Sequence, residues 1–394
     1  MHFAETYRGV RVVDLSENIA GPLACMILAD LGADVIKVER PESGEATRSL
    51  PPRWDGESTV FLTYNRNKRS LTLDLTSDRG REALLRLVAT ADVVVQSLRP
   101  GVLDRLGLGV EAMTARRPDL ILCSISAYGQ GPIGRTKAGY DALIQAFTGI
   151  MAMTGEPEGN PVRSAASLVD ISTGMWAAMS IMAALARRPR VDGPQLLEAS
   201  LVDSGFFMLS HQLMGYLATG RVPPRLGSAA PSASPYQLFH TADQPIMIAT
   251  STDRMFQRLC AALGVEEIAR EPRFQTMRGR IEHREELAQV LESRLVQESS
   301  QHWLEVLDHA GIPASPVQGL DQALATPIGR ERRLVQPAEP GRIPGLQLLR
   351  LPMDHEGGAP RRQPPAVGEH TTEILAELGI SEDDSQADRA TSAS

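Results

Sequence analysis

The sequence predicts an α/β protein: a large domain on a mostly parallel sheet, with a smaller α+β domain beyond it. Three observations carry this expectation. Short β-branched runs alternate with helix-forming segments from Val10 to Ile125. A Pro/Gly/Ser-rich stretch, Gly220–Pro235, then interrupts the pattern. Past it, one hairpin-like signal is followed by charged amphipathic helices.

The elements follow in order. Val10–Leu15 reads as a strand. Ala20–Leu31 reads as a helix, with Pro22 in its first turn and Gly32 as its stop. Asp34–Glu39 is the next strand, completing a βαβ unit whose crossover is right-handed. Leu71–Leu75 is a strand, Asp78–Thr90 a helix, Asp92–Gln96 and Leu120–Ile125 further strands, and Gln195–Val202 another. Tyr236–Phe239 and Ile246–Ala249 form the hairpin, followed by helices near Asp253–Leu263, His283–Val296 and His302–Ala310. Leu346–Leu351 returns as a strand and Glu369–Leu378 is a closing helix. The expected division is a large domain from 1–195 and 330–380, a linker over 196–224, a small domain over 225–325, and a disordered polar tail over 381–394.

Composition narrows the function. The 394 residues allow a substantial core, and the net charge of −8 argues against a general nucleic-acid surface. Cys25, Cys123 and Cys260 are odd in number and widely spaced, with neither a disulfide framework nor a zinc pattern. The N-terminus lacks a signal-peptide core, and the apolar run Ile171–Ala186 is short for a membrane span, so the expectation is a cytoplasmic protein without a metal or a membrane anchor.

In a parallel sheet, ligands bind beyond the carboxyl ends of the strands. Here those ends lead into Ser16–Pro22, Arg40–Gly44, Ser97–Gly101 with Arg105, and Ser126–Pro132, loops rich in Gly, Pro, Arg and Ser that suit a phosphorylated ligand. No GxGxxG fingerprint follows the first strand, and no P-loop lysine occurs, which weakens a conventional dinucleotide or NTPase reading. Asp170 is the most informative residue. It heads a long apolar run, where a lone carboxylate needs a partner or a task. Two readings remain open locally: an N-cap accepting from Thr173 or Gly174, or a nucleophile held at a helix start.

The ordered set Gly9–Leu15, Ala20–Pro22, Leu31–Arg40, Asn65–Ser70, Leu73–Leu75, Arg99–Gly101, Gly139–Asp141, Asp170 and Gly368–Thr371 resembles the family III CoA-transferases, the group that includes formyl-CoA and carnitine CoA-transferases and the α-methylacyl-CoA racemases. The resemblance implies a Rossmann-like large domain in an interlocked homodimer, with coenzyme A entering as an acyl-CoA substrate and a small carboxylic acid as acceptor. It implies Asp170 as the nucleophile, passing through aspartyl anhydride and aspartyl–CoA thioester intermediates. It places Ile19, Ala20, Arg40, Leu73, Asp74, Leu75, Thr76, Ser97, Leu98, Arg99, Arg105 and Lys137 against CoA.

Two departures bear on substrate. The lysine that formyl-CoA transferases carry two residues before the matching tyrosine is Ala138 here, with Lys137 adjacent; and Gly227–Pro235 lacks their glycine-rich lid. In the racemases a histidine fills the place of Tyr140, and a phenol ionises too high to replace imidazole in α-proton exchange. Racemisation is therefore the alternative, with a non-catalytic CoA-binding protein as a third reading. His211, His240 and His370 read as structural, and Met151, Met153, Met175 and Trp176 as core residues.

Overall fold

The computed structural model describes residues 3–354 and 361–380; the expected tail over 381–394 lies outside them. The chain divides into two compact units, one of Met1–Ile150, Ser164–Ala218 and the residues from Arg332 onward, the other of Met151–Arg163 and Thr219–Glu331.

The larger unit is built on six parallel strands: β1 (Arg11–Leu15), β2 (Asp34–Glu39), β3 (Arg69–Thr72), β4 (Val93–Gln96), β5 (Ile121–Ser126) and β6 (Gln195–Ser200). Their spatial order is β3-β2-β1-β4-β5-β6. This is the doubly wound Rossmann order, in which successive crossovers diverge from β1 and leave a crevice between the ends of β1 and β4. Val12, Val13, Val35, Ile36, Val93–Val95 and Ile121–Cys123 are buried, as a sheet covered on both faces requires. One face is packed by α1 (Ala20–Asp30) and the long α5 (Leu168–Arg187), the other by α3 (Asp78–Ala89) and the closing α11 (Thr371–Glu377). Between them in sequence lie α2 (Thr59–Tyr64) and α4 (Asp141–Thr148). Cys25 and Cys123 sit in the first of these cores and Cys260 in the small unit's core.

Some sequence expectations shift. The third strand ends at Thr72, so Leu73–Leu75 form the turn beyond it. The span 196–224, expected as linker, begins with the last residues of β6 and then forms α6 (Leu201–Met208) and α7 (Ser210–Thr219). Apolar Phe206, Phe207, Met214 and Leu217 favour these helices, but their side chains are exposed in the single chain, so no one-chain burial signal marked them. Gln347–Leu349 does not rejoin the main sheet; it pairs antiparallel with Val335–Pro337.

Asn65–Ser70, which reads locally as a polar turn, is instead a buried knot of charge. Arg66 Nη2 lies 2.6 Å from Asp30 Oδ2, and Asn67 Nδ2 donates to Asp30 Oδ1 at 2.7 Å. Lys68 Nζ donates to Asp14 Oδ2 at 2.8 Å, to Asn65 Oδ1 at 2.8 Å and to the Pro22 carbonyl at 3.0 Å. Arg69 joins Asp34 at 2.7 Å and Glu377 at 2.6 Å, and Ser70 Oγ donates to Glu39 at 2.7 Å. Lys37, fully buried beside them, bonds Glu45 at 2.6 Å and the Ser16 carbonyl at 2.8 Å. Burial alone would lift the Asp14 carboxyl, but Lys37 and Lys68 outweigh it and hold it well below the usual range. The two lysines thereby grip both ends of the loop Ser16–Pro22.

In the smaller unit, β7 (Tyr236–Phe239), β8 (Ile246–Ala249) and β9 (Ala314–Pro316) form an antiparallel sheet in the order β9-β8-β7. Helices α8 (Asp253–Leu263), α9 (Arg284–Leu295) and α10 (Ser300–His309) cover it through Phe256, Leu259, Leu287, Leu291 and Trp303. Ser and Thr caps start the first and last of these helices, at Thr252 and Ser299.

Candidate active site

The crevice predicted by the strand order is present. A cleft of about 230 Å³ opens at the ends of β1 and β4, lined by Glu17, Asn18, Ser97–Pro100, Ser126–Tyr128, Gly134 and Lys137–Tyr140. Its floor is fixed by side chains that accept from the backbone: the Glu17 N–H donates to Ser97 Oγ at 2.9 Å, joining the two loops across the switch point. The Leu98 N–H donates to Gln96 Oε1 at 2.9 Å. Of the residues expected to meet CoA, Ser97, Leu98, Arg99 and Lys137 line this one cleft.

The remaining ones are distributed around it. Arg40 is exposed past β2 and reaches Glu17 Oε1, on the cleft wall, at 3.1 Å. Arg105 ends the short helix Val102–Arg105, and its Nη1 lies 3.5 Å from where a Cβ on Gly101 would stand; Arg135 Nη2 approaches the same point at 3.8 Å. Gly101 has φ +82°, a conformation that suits glycine. Arg99, Arg105, Arg135 and Lys137 pair with no carboxylate among the described residues, so four cations remain to meet an anion. Lys137 Nζ lies 5.5 Å from the Tyr128 ring centre. Ile19 and Ala20 continue the chain from Asn18 into the first turn of α1. Leu73, Asp74, Leu75 and Thr76 stand apart from the cleft lining, in the turn after β3, where Asp74 Oδ1 accepts from the Thr76 N–H and hydroxyl at 2.9 and 2.6 Å.

Asp170 is the third residue of α5, whose N-cap is Ser167. The N-cap reading of Asp170 is therefore replaced: it stands inside the helix. The donors of that helix start are taken by another residue. Asp141 Oδ1 accepts from the Val169 N–H at 2.9 Å and from the Asp170 N–H at 3.2 Å. Asp141 caps α5 rather than the helix it begins.

Asp170 shares a helix face with Gly174, one turn on. A Cβ on Gly174 would stand 2.6 Å from the Ala20 carbonyl and 3.1 Å from Leu23, so glycine is what lets α5 lie against the start of α1. The Asp170 face is thus directed at the helix turn into which the cleft loop runs. Burial, reinforced by the Asp141 charge, raises the Asp170 carboxyl to about 7. Tyr64, at the end of α2, is raised by burial and by Asp170. Such a carboxylate, basic yet ionisable near neutrality, suits nucleophilic work.

Sequence reasoning named the loops that hold Glu17, Asn18 and Tyr128 without singling those residues out, passed over Arg135, and left the role of Asp141 undecided. A signal existed for the last: Asp141 and Gln145 stand at i and i+4, one face of α4, and Gln145 Nε2 donates to Asp141 Oδ2 at 2.6 Å. Of the histidines, His240 Nδ1 meets Glu292 at 2.6 Å, and His370 Nδ1 accepts from the Ser70 N–H at 3.2 Å, tying the start of α11 to β3.

A Rossmann-ordered sheet with a cation-flanked switch-point cleft defines an α/β protein with a site suited to an anionic ligand. Residues 7–371 match CoA-transferase family III, and the chain belongs to that family. The succinate–glutarate CoA-transferase of Agrobacterium fabrum is 37% identical over 384 residues, covering 94% of this chain and 95% of the relative. The human succinyl-CoA:glutarate CoA-transferase is 35% identical over 387 residues, covering 96% and 87%. A crystal structure of a CaiB/BaiF family protein from Brucella suis superposes with a TM-score of 0.83 at 37% identity, covering 94% of this chain and 98% of that one. The protein is a family III CoA-transferase, and its substrates are CoA thioesters.

Proposed function

We propose that Asp170 is the nucleophile that carries CoA from an acyl-CoA donor to a small dicarboxylic acid. The observation that supports it most is a carboxyl raised to about 7 on the α5 face packed against Ala20. An Asp170 oxygen attacks the acyl carbon; the acyl C–S bond breaks, and CoA thiolate leaves with the electron pair. The thiolate then adds to Cγ of Asp170, the Cγ–O bond of the anhydride breaks, and the donor carboxylate departs. An acceptor carboxylate attacks the resulting aspartyl–CoA thioester, and the same two steps run in reverse. Each step exchanges an activated acyl group between similar leaving groups, the usual value of a covalent intermediate. The dicarboxylate class rests on the names of the two relatives, both of which specify glutarate.

In this reading Arg40, Arg99, Arg105 and Lys137 attract the phosphates of CoA, with guanidinium forks matching phosphate oxygens. Ser97 and Leu98 flank the pantetheine arm, Ile19 and Ala20 guide it toward Asp170, and Leu73–Thr76 receive the adenine end. Histidine stands nowhere in Gly139-Tyr140-Asp141, which favours transfer over racemisation. The proposal extends to a cytoplasmic homodimer with large and small domains. Leu143, Phe147, Met175, Phe207, Met214 and Leu217, spread over α4, α5, α6 and α7, are each more than half or about half exposed in the single chain, a large apolar area for a monomer to leave wet. α5 is apolar and long enough to cross a membrane, but Val169, Thr173, Ala177 and Ile181 bury one face of it in the core.

The decisive experiment incubates the protein with succinyl-CoA and hydroxylamine. Peptide mass spectrometry then shows a hydroxamate at Asp170, absent in Asp170→Ala. A hydroxamate elsewhere, or undiminished transfer to glutarate by Asp170→Ala, refutes the assignment. Light scattering at micromolar concentration checks the dimer; a monomeric mass refutes it.

A further inference from the structure

We infer that Asp141 is a positioning residue that biases the mixed anhydride toward the aspartyl–CoA thioester, by fixing a negative charge beside Asp170 and locking the first turn of α5. This rests on Asp170 being the nucleophile.

The geometry is fully specified. Asp141 is 6% exposed and Gln145 is fully buried. Asp141 Oδ1 takes the Val169 and Asp170 N–H groups, and its Oδ2 takes Gln145 Nε2. Gln145 Oε1 accepts from the Ser164 N–H at 2.9 Å, which sets the amide orientation and forces its N–H₂ toward Asp141. Asp141 thus meets three N–H donors, the pattern of an ionised carboxylate. Among the described residues no Lys, Arg or His pairs with it, so its charge is not cancelled locally. The same arrangement removes from Asp170 the helix N–H groups that would otherwise calm its own carboxylate.

The other elements around α5 contribute little charge. α1 carries only Asp30, at its far end, held by Arg66 and Asn67. α6 carries Asp203, bonded by Ser200, and β6 carries Glu198, which accepts from the Gln130 N–H. α2 presents Tyr64, and Arg187 and Arg188 stand at the opposite end of α5, as its last residue and its C-cap. Asp141 is the group whose charge bears on Asp170.

The chemical consequence concerns which carboxylate leaves. In the anhydride, thiolate can add to the substrate acyl carbon, breaking the bond to Asp170 and regenerating acyl-CoA. It can instead add to Cγ of Asp170, expelling the donor carboxylate and forming the aspartyl–CoA thioester. Charge is conserved on either route. An ordinary carboxylic acid ionises near 4, so the donor carboxylate is the weaker base and the better leaving group than an aspartate made more basic by burial and, further, by its charged neighbour. The Asp141 charge thus favours the aspartyl–CoA thioester over either anhydride, in the donor half of the cycle and in the acceptor half alike.

The test compares wild type, Asp141→Asn and Asp141→Ala with succinyl-CoA and glutarate. Asparagine keeps an acceptor for the two N–H groups and removes the charge. Expected for Asp141→Asn are a measurably lower acid limb of kcat/KM and several-fold less covalent CoA adduct by intact mass spectrometry, with the affinity for free CoA within twofold of wild type. An unmoved limb and unchanged adduct in Asp141→Asn, with loss confined to Asp141→Ala, would reduce Asp141 to a helix cap and overturn the inference. Should Asp141→Asn fail to fold, Gln145→Leu serves: it strips one donor from Asp141 and displaces the acid limb; an unmoved limb overturns the inference. Absence of any Asp170 adduct in wild type sinks the nucleophile reading instead, so the two failures are distinct.

Discussion

Replacing Asp170 by asparagine should stabilise the protein while abolishing transfer, and the gain should grow with pH. The folded chain holds the Asp170 proton up to about 7, whereas the unfolded chain releases it near the ordinary value of 3.8. Ionising the group therefore costs the folded state. The cost is absent below the unfolded value, grows as pH rises and is complete above about 7, because the unfolded state is then the one that binds fewer protons over the intervening range. A shift of roughly three units corresponds to about 4 kcal/mol at 1.36 kcal/mol each, an upper bound for a side chain that solvent partly reaches. At pH 5 the same arithmetic leaves roughly 1.5 kcal/mol. Asparagine carries no charge and escapes the cost at both pH values. Urea unfolding of the wild type and Asp170→Asn at pH 5 and pH 8.5, read by far-ultraviolet circular dichroism, measures the gap directly. A gap of equal size at both pH values, or one that shrinks as pH rises, refutes the reasoning.

Other perturbations have equally definite outcomes. The rate of transfer at subsaturating acyl-CoA should climb with pH through an apparent value near 7 as Asp170 ionises; a profile already flat from pH 5 upward contradicts this. Gly174→Val places side-chain atoms against the Ala20 carbonyl and should cost about 1–3 kcal/mol, read as a lowered urea midpoint together with reduced activity. Arg66→Ala strands Asp30 without its bidentate partner and should cost about 3–5 kcal/mol, measured the same way. Arg105→Ala and Arg135→Ala should each weaken CoA binding and flatten its dependence on salt, as titration calorimetry at two ionic strengths will show; an unchanged salt dependence removes that cation from the binding surface.

The large unit was legible because its signals are local and periodic. Val12, Val35 and Val94 sit in short β-branched runs, and each run is a strand. Ala20–Asp30 carries its proline and glycine where a helix start and stop need them. The boundaries that moved did so for tertiary reasons. Leu73 keeps the apolar look of a strand because it is buried, yet the chain has already turned toward Ser77, the cap of α3. Asn65–Ser70 looks like a solvated turn because its partners, Asp14, Asp30, Asp34, Glu39 and Glu377, are far away in sequence. α6 and α7 were hidden in an apparent linker because their apolar residues face outward in one chain. At the site, the loops Ser97–Gly101 and Ser126–Pro132 could be foreseen to share a region from their positions after β4 and β5, whereas Lys137 came only from the family resemblance. The cap on α5 could not, since Asp141 and Val169 meet only through the fold.

The grip of Lys37 and Lys68 on the carbonyls of Ser16 and Pro22 has a practical consequence for engineering. Both ends of the segment bearing Glu17, Asn18 and Ile19 are anchored from beneath by ammonium groups that solvent does not reach. Residues between the anchors can therefore be exchanged to reshape the cleft wall while the frame stays rigid, whereas trimming either lysine to a neutral side chain would set the whole segment adrift and erase the distinction between a binding change and a folding defect.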